Sequence, residues 1–337
     1  MRTDFLQLKG TAYERGLASG TYFKSNVNLD IFKNTPLQNH PESKDRCLCL
    51  MNKLKQEYPV YYEETIGKAD GLGIDRLDYF SLMCPELFSF GFEHCTTIIA
   101  KKDNGHFILS HNEDDRYVDG NFCMSKVYLD DQRWFVTNDM INMPFGNGIS
   151  YNSDGLVKTI NYTHEINVMP DYLPRYFGHR HISEAASLDD LIKRCKEMKT
   201  ASGFHVTALD INTLKAVSIE VYPETISIIE IDDLYIHTNH YIHHKHLSHP
   251  STDTGSNSIF RLNKASELMK NTLRTVDSIK EVLHYRSPEN LFDNSILQTH
   301  DDPYITLFNF TVDTEHKDTA ILDVNITDEH LILNTHE

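Results

Sequence analysis

The chain is poor in positive charge. Its 337 residues carry 32 Lys and Arg against 49 Asp and Glu, a formal net charge of -17. A field of that sign repels phosphate backbones and anionic membrane surfaces. Nucleic acid and membrane are therefore excluded as expected partners, and a neutral or cationic small molecule is favoured. Cysteine is also scarce. The six, at positions 47, 49, 84, 95, 123 and 195, include no CxxC pair and are too sparse to staple a chain of this length. They read as free thiols in a reducing cytoplasm, where the sequons at Asn161, Asn309 and Asn325 carry no sugar. No apolar run approaches the roughly 20 residues of a membrane-spanning helix. The opening "MRTDFLQLKGTAYERG" lacks the apolar core of a secretory signal. There is no internal repeat and no low-complexity linker. A homo-oligomer stays open.

What is present is ordinary globular material, 40% hydrophobic and 24% charged, enough for one large domain or two smaller ones. Apolar residues at helical spacing predict helices over 10–33 and 44–70, the second bent or interrupted at Pro59 and ended by the glycines of "GLGID". From Cys95 the pattern turns to strands: 95–101, 106–113, 123–129, 133–138, 148–152 and 156–162. A helix near 188–199 follows, with Ser187 as its N-cap. Strands at 204–210, 215–221, 226–231 and 234–239, helices near 257–271 and 276–285, and strands at 304–312, 318–324 and 330–334 complete the chain. Strand block, helix, strand block, helices, strands suits an α+β fold of two stacked antiparallel sheets with helices outside.

One hairpin carries the chemistry. "CTTIIAKKDNGHFILSHNEDD" starts at Cys95 and turns at Asn104-Gly105. With those two as a two-residue type I′ loop, Asp103 pairs with His106, Thr97 with Asn112, and Cys95 with Asp114. A slip of one residue puts Glu113 or Asp115 opposite the thiol instead. A carboxylate beside a thiol suppresses the thiolate. The pairing makes sense if the peptide bond before Cys95 is cut. Cys95 then owns an α-amine of pKa about 7.7–8.0 that can take the thiol proton, and the carboxylate holds the ammonium. The bland rival is a packed strand cysteine beside a solvated acid.

These residues resemble the mature amino-terminus of the acyl-coenzyme A:isopenicillin N acyltransferase family. Its members are N-terminal-nucleophile (Ntn) hydrolases, related to choloylglycine hydrolases and penicillin V acylases. The matching pattern is Cys95-Thr96-Thr97, Asn104-Gly105 and Asn112-Glu113-Asp114. Along the chain "YNSDGLVKTINYTH" with Asn161, "IHTNHY" with Asn239, "SIFRLNKASELM" with Ser258 and Arg261, and "TLFNFTVD" follow in order, and "LKGTAYERGLASG" and "GKADGLGID" fit the pro-segment. The resemblance implies an αββα four-layer sandwich and self-cleavage between His94 and Cys95. That cut divides a helical pro-segment, 1–94, from a catalytic domain, 95–337. It implies Cys95 as nucleophile, Asp114 as the partner of its α-amine, Asn239 as the oxyanion donor, Asn161 as a second oxyanion or substrate contact, and Arg261 as the group that holds a carboxylate or steadies Asp114. The implied activity is hydrolysis or acyl transfer at a linear amide through an acyl-thioester, on a small-molecule amide or acyl substrate, without a cofactor. Two departures stand out. His94 occupies the place of a glycine before the nucleophile, and Asp302-Pro303 replaces a Ser-Arg pair, which argues against a penicillin-forming activity and against coenzyme A as donor.

Two alternatives follow from other features. His94 favours an uncleaved, non-catalytic ligand-binding relative of the same fold. The run "HTNHYIHHKHLSH" offers His240, His243 and His244 as zinc ligands, a minority reading because it leaves a strand for a loop and lacks an HExxH motif. "NEDDRYVD" lacks the glycine and terminal glutamate of a calcium loop.

Overall fold

Thr11 opens the first helix. Its hydroxyl accepts from the Glu14 amide while the Glu14 carboxylate accepts from the Thr11 amide, a closed capping box. The computed structural model describes residues 5–88, 94–116, 120–163, 168–243, 257–289, 291–316, 319–324 and 329–334. The first segment holds β1 (Phe5–Leu8), α1 (Ala12–Asn26), α2 (Pro36–Asn39), α3 (Lys44–Glu57), α4 (Pro59–Leu72), α5 (Arg76–Ser81) and α6 (Pro85–Phe88). Strands β2 (His94–Lys101), β3 (Phe107–Asp115), β4 (Phe122–Tyr128), β5 (Trp134–Met140), β6 (Ser150–Asn152) and β7 (Leu156–Tyr162) follow. Then come α7 (Arg175–Ile182), α8 (Leu188–Glu197), β8 (Phe204–Asp210), β9 (Lys215–Tyr222), β10 (Thr225–Ile231) and β11 (Leu234–His237). The chain closes with α9 (Asn257–Met269), α10 (Val276–Leu283), β12 (Ile305–Asp313), β13 (Thr319–Val324) and β14 (Glu329–Asn334).

The strands form two sheets, β1-β4-β5-β6-β7-β8-β9-β10 and β11-β2-β3-β12-β13-β14. The alternation of each strand explains the layering. Ile98, Ala100 and Ile108 turn outward from the six-stranded sheet onto Ala265 and Met269 of α9 and Ile279 and Leu283 of α10. Phe204, Val206 and Ala208 turn outward from the eight-stranded sheet onto Ile182 of α7 and Leu191 and Cys195 of α8. The inner faces meet where Thr97 of β2 approaches Thr159 and Asn161 of β7. Helices outside and two sheets inside give the expected α+β sandwich. No helix among the described residues is long and apolar enough to cross a membrane.

Three details depart from expectation. Sheet pairing is antiparallel except between β1 and β4, which run parallel. Pro59 does not bend a helix; it stands at the first position of α4, where its missing N–H costs nothing. The helix expected over 10–33 ends at Asn26.

Residues before Cys95 are bound tightly to those after it. Lys68 of α4 reaches Asp139 of β5 at 2.6 Å, both ends buried. Glu64 of α4 bridges Arg15 of α1 at 3.1 Å and Arg180 of α7 at 2.8 Å. Helices α1 and α4 touch through glycines. A Cβ at Gly16 would stand 2.1 Å from the Glu64 carbonyl oxygen, and one at Gly67 2.2 Å from that of Tyr13.

Candidate active site

The hairpin register differs from the two-residue expectation. Gly105 N–H donates to the Lys102 carbonyl at 2.9 Å, and Lys102 N–H donates to the His106 carbonyl at 2.7 Å. The loop is thus three residues, Asp103 to Gly105, with Gly105 alone at positive φ (+88°). That is a turn followed by a glycine bulge, not a type I′ turn. The extra loop residue shifts every pair by one. Cys95 faces Glu113, Thr96 faces Asn112, Thr97 faces His111, and Asp114 faces His94. The expected pairs of Cys95 with Asp114 and Thr97 with Asn112 are corrected accordingly.

The pleat then sorts the side chains. Cys95, Thr97, His111 and Glu113 share the face toward the eight-stranded sheet. Donor atoms of Cys95, His111 and Glu113 all lie within 4.8 Å of one another, and all three residues are buried. His111 Nε2 is 3.1 Å from Glu113 Oε2, and its Nδ1 is 2.8 Å from Thr97 Oγ1. Burial, and then the positive charge of Lys158, pull the His111 imidazole down to about 3. It is neutral at ordinary pH. Lys158 itself is buried, its Nζ donating to the carbonyls of Gly146 at 2.7 Å and Gly148 at 3.3 Å. Burial pulls it down to about 7, against the attraction of Glu113. Gly148 (φ +78°) packs so closely on Glu113 and Asn138 that a Cβ there would meet Glu113 Oε2 at 2.8 Å. Glu113 and His111 were not among the expected site residues. The correct register is the signal that would have found them.

The backbone of Cys95 is gripped by side chains. Its N–H donates to Asn239 Oδ1 at 2.9 Å, and its carbonyl accepts from Arg261 Nη1 at 2.6 Å. Arg261 also donates to Thr96 Oγ1 at 2.8 Å and to Asn239 Oδ1 at 2.7 Å, and its Nε donates to Asn257. Asn239 follows β11, where Ser258 of α9 accepts its backbone N–H at 2.9 Å. Its Nδ2 donates to the Tyr162 carbonyl at 2.9 Å. Asn161 of β7 is one step farther. Its Oδ1 accepts from Thr97 Oγ1 at 2.9 Å and lies 3.1 Å from His205 Nδ1, while its buried Nδ2 has no acceptor.

Asp114 lies on the other face, toward the helices. Oδ1 accepts from Thr306 Oγ1 at 2.6 Å; Oδ2 is buried and has no hydrogen-bond partner. Burial pushes its carboxyl up to about 7, although the nearby Arg261 pulls down. A bulge in β12 between Thr306 and Phe308 places that hydroxyl. The His94 ring centre lies 4.4 Å from that of Tyr304, tilted, and 6.0 Å from that of Phe292, edge-on. Asp302, one of the sequence departures, forms a two-pronged ion pair with Arg286 at 2.6 and 3.0 Å.

The structure thus gathers Cys95, His94, Asn239 and Arg261 directly and links Asn161 through Thr97. Of the three histidines offered as zinc ligands, the two described, His240 and His243, turn to different partners. His240 Nδ1 is 2.8 Å from Ser258 Oγ, His243 Nε2 is 2.9 Å from Tyr235 Oη, and His244 lies outside the described residues. Among the described residues neither joins a trio of metal-ligating side chains.

A family model described as acyl-coenzyme A:6-aminopenicillanic acid acyl-transferase matches residues 100–324, roughly two thirds of the chain, beginning just after Cys95. The β-alanyl-dopamine/carcinine hydrolase of Drosophila melanogaster is 23% identical over 221 residues, 57% of this chain. The chain spans 57% of that relative's length. Two crystal structures of conjugated bile acid hydrolase variants from Clostridium perfringens align with a TM-score of 0.46. They are 11% and 12% identical over 72% of this chain and cover 93% and 92% of theirs.

Proposed function

The chain belongs to the acyl-coenzyme A:6-aminopenicillanic acid acyl-transferase family, an enzyme of carbon–nitrogen bonds of the amide hydrolase or acyltransferase kind, and from that premise we propose that Cys95 is its nucleophile. The reading rests on one observation above the others. Side chains hold both the N–H and the C=O of Cys95, at 2.9 Å from Asn239 and 2.6 Å from Arg261. A packed strand cysteine has no need of such a clamp. A residue whose own nitrogen must stay aligned with its sulfur after the chain is cut does need one.

In this reading the His94–Cys95 bond is cleaved and residues 1–94 separate covalently from 95–337. The new α-amine takes the Cys95 thiol proton. The thiolate attacks the amide carbon of a linear substrate, and the tetrahedral oxyanion collapses to a thioester. The amine leaves with the proton, and water or a second amine then takes the acyl group from sulfur. Asp114 supplies charge to hold the ammonium, since a buried Oδ2 without a partner is what an ammonium would satisfy. Asn161 Nδ2, also buried without an acceptor, is the better oxyanion donor. Asn239, whose Nδ2 donates to Tyr162 and whose Oδ1 accepts from Cys95 and Arg261, is the clamp. The net charge favours substrates with a cationic or neutral amine part over polyanions. The Drosophila relative's name, a hydrolase of β-alanyl-dopamine and carcinine, makes N-β-alanyl amines the first class to test.

Intact mass tests the reading. The wild-type protein is expected as two pieces, the larger beginning at Cys95, and Cys95→Ala as one uncut and inactive chain. A full-length wild-type protein that turns over amides would end the reading. A second reading has its own support: Cys95 is only 2% exposed with the chain intact, as in an uncut, non-catalytic ligand-binding relative. A single chain without amidase activity would favour it.

A further inference from the structure

Before the His94–Cys95 bond is cut, the nitrogen of Cys95 is an amide. It donates its hydrogen to Asn239, and its lone pair is delocalised into the neighbouring carbonyl. It cannot take the thiol proton. The α-amine exists only after the cut, so the cut itself requires a different base.

The neighbourhood leaves few candidates. Asp114 is on the opposite face of the sheet, paired with His94. Lys158 Nζ is turned onto the carbonyls of Gly146 and Gly148. His205 lies behind Asn161. On the face of the thiol, with donor atoms inside 4.8 Å, stand His111 and Glu113.

We propose that the His111–Glu113 pair is the base of self-cleavage, accepting the Cys95 thiol proton and returning it to the Cys95 nitrogen as the bond to His94 breaks. This rests on the self-cleaving reading above. With the Thr97 hydroxyl donating to Asn161, the neutral ring carries its proton on Nδ1 and donates it to Thr97, which leaves Nε2, 3.1 Å from Glu113 Oε2, open to a proton that the two can share. The thiolate adds to the His94 carbonyl carbon. The C–N bond then breaks, the nitrogen takes the proton from the pair, and His94 is left as a thioester on Cys95. Water cleaves the C–S bond, giving the His94 carboxylate and a free thiol. From then on the α-amine serves turnover.

The charges around the imidazole fit an acceptor. Glu113 on its own strand favours its protonation. Lys158 of β7 opposes it, and His205 of β8 and the Cys95 thiol of β2 are the other titratable neighbours. Burial and Lys158 together keep the ring neutral and weaken it as a base, so it is the adjoining Glu113 carboxylate, 3.1 Å away, that offsets them when the proton arrives.

The test follows the intact mass of cell-free-synthesised full-length chain with time, between pH 5 and 9. Wild-type cleavage is expected to be nearly level with pH. In His111→Gln the rate at pH 7 should fall at least about 100-fold. It should then climb about tenfold per pH unit toward the range of a free thiol, near 8.5, as solvent takes over deprotonation. Glu113→Gln keeps a hydrogen bond to the ring, should fall less, and decides the matter where His111→Gln does not fold. Folded variants that cut at the wild-type rate, or more slowly by the same factor at every pH, would overturn the pair's role while leaving self-cleavage standing. A wild-type chain that never cuts would overturn both.

Discussion

Asp114 is the register partner of His94, the residue before Cys95, and not of Cys95 itself. The carboxylate therefore sits on the helix side of the sheet, one peptide unit from the sulfur's face. There it meets Thr306 and the field of Arg261. Burial dominates both and pushes its carboxyl up to about 7.

The sign of that shift gives a stability prediction for the uncut chain. An acid whose folded pKa exceeds its unfolded value of about 3.9 binds its proton more tightly when folded. Its contribution is most favourable below about pH 4 and is lost as pH rises toward 7. The full loss is on the order of 4 kcal/mol as an upper bound. In a Cys95→Ala background, Asp114→Asn should melt higher than its parent at pH 8, and the gap should close at pH 4. Thermal melts at the two pH values check it. A gap that is equal at both would show that the carboxyl is not titrating there.

The two asparagines should separate in kinetics. Asn161 has an uncommitted, buried Nδ2, whereas Asn239 holds Cys95, Arg261 and Tyr162 together. Asn161→Ala should lower kcat about 100- to 1,000-fold with little change in KM, as for loss of an oxyanion donor. It should leave the fragment pattern intact. Asn239→Ala should slow self-cleavage as well as turnover, because the peptide nitrogen of Cys95 loses its partner. Steady-state kinetics with intact mass on both variants distinguishes the roles.

How much of this was legible in the sequence depends on the range of the interaction. The strands from Cys95 onward were legible because period-2 alternation is local, and β2, β7, β8 and β9 fall within a residue or two of expectation. The convergence of Asn239 and Arg261 on Cys95 followed from the resemblance, since no local pattern relates residues 144 and 166 positions apart. The register was not legible. Asn-Gly fits both a two-residue and a three-residue loop, and one extra residue moves His111 and Glu113 next to the thiol and Asp114 away from it. Helix α7 was missed because Pro174 at its N-cap makes no side-chain cap, and it is held by the buried Glu64–Arg180 pair. The stack of His205 on His237, 3.4 Å between ring centres, joins β8 of one sheet to β11 of the other and has no sequence signature.

Cutting at residue 94 should not release the first segment. Lys68 donates to Asp139 and to the carbonyls of Met140 and Met143, and Ser19 donates to the other Asp139 oxygen. The two pieces should coelute in native chromatography and separate only in denaturant. Lys68→Met leaves Asp139 buried without its cation, a loss of about 3–5 kcal/mol. Fragments of that variant should part at lower denaturant than wild type. Wild-type pieces that separate spontaneously in buffer would contradict the packing.

The glycine contact between α1 and α4 sets a sharper limit on the same interface. At Gly16 and Gly67 the obstructing atoms are main-chain carbonyl oxygens of the opposing helix, at 2.1 and 2.2 Å, so no side-chain rotation makes room. In an exposed helix Gly→Ala gains roughly 1 kcal/mol from propensity. Here the helices must move apart, and overpacking of this kind costs about 1–3 kcal/mol or more. Gly67→Ala should therefore lower the melting temperature despite its better helix propensity, and Gly16→Ala with it. Because the two substitutions push on the same interface, the double variant should lose less than the sum of the singles. Denaturant melts of the two singles and the double close that cycle, and an additive result would mean that the helices yield independently at the two crossings.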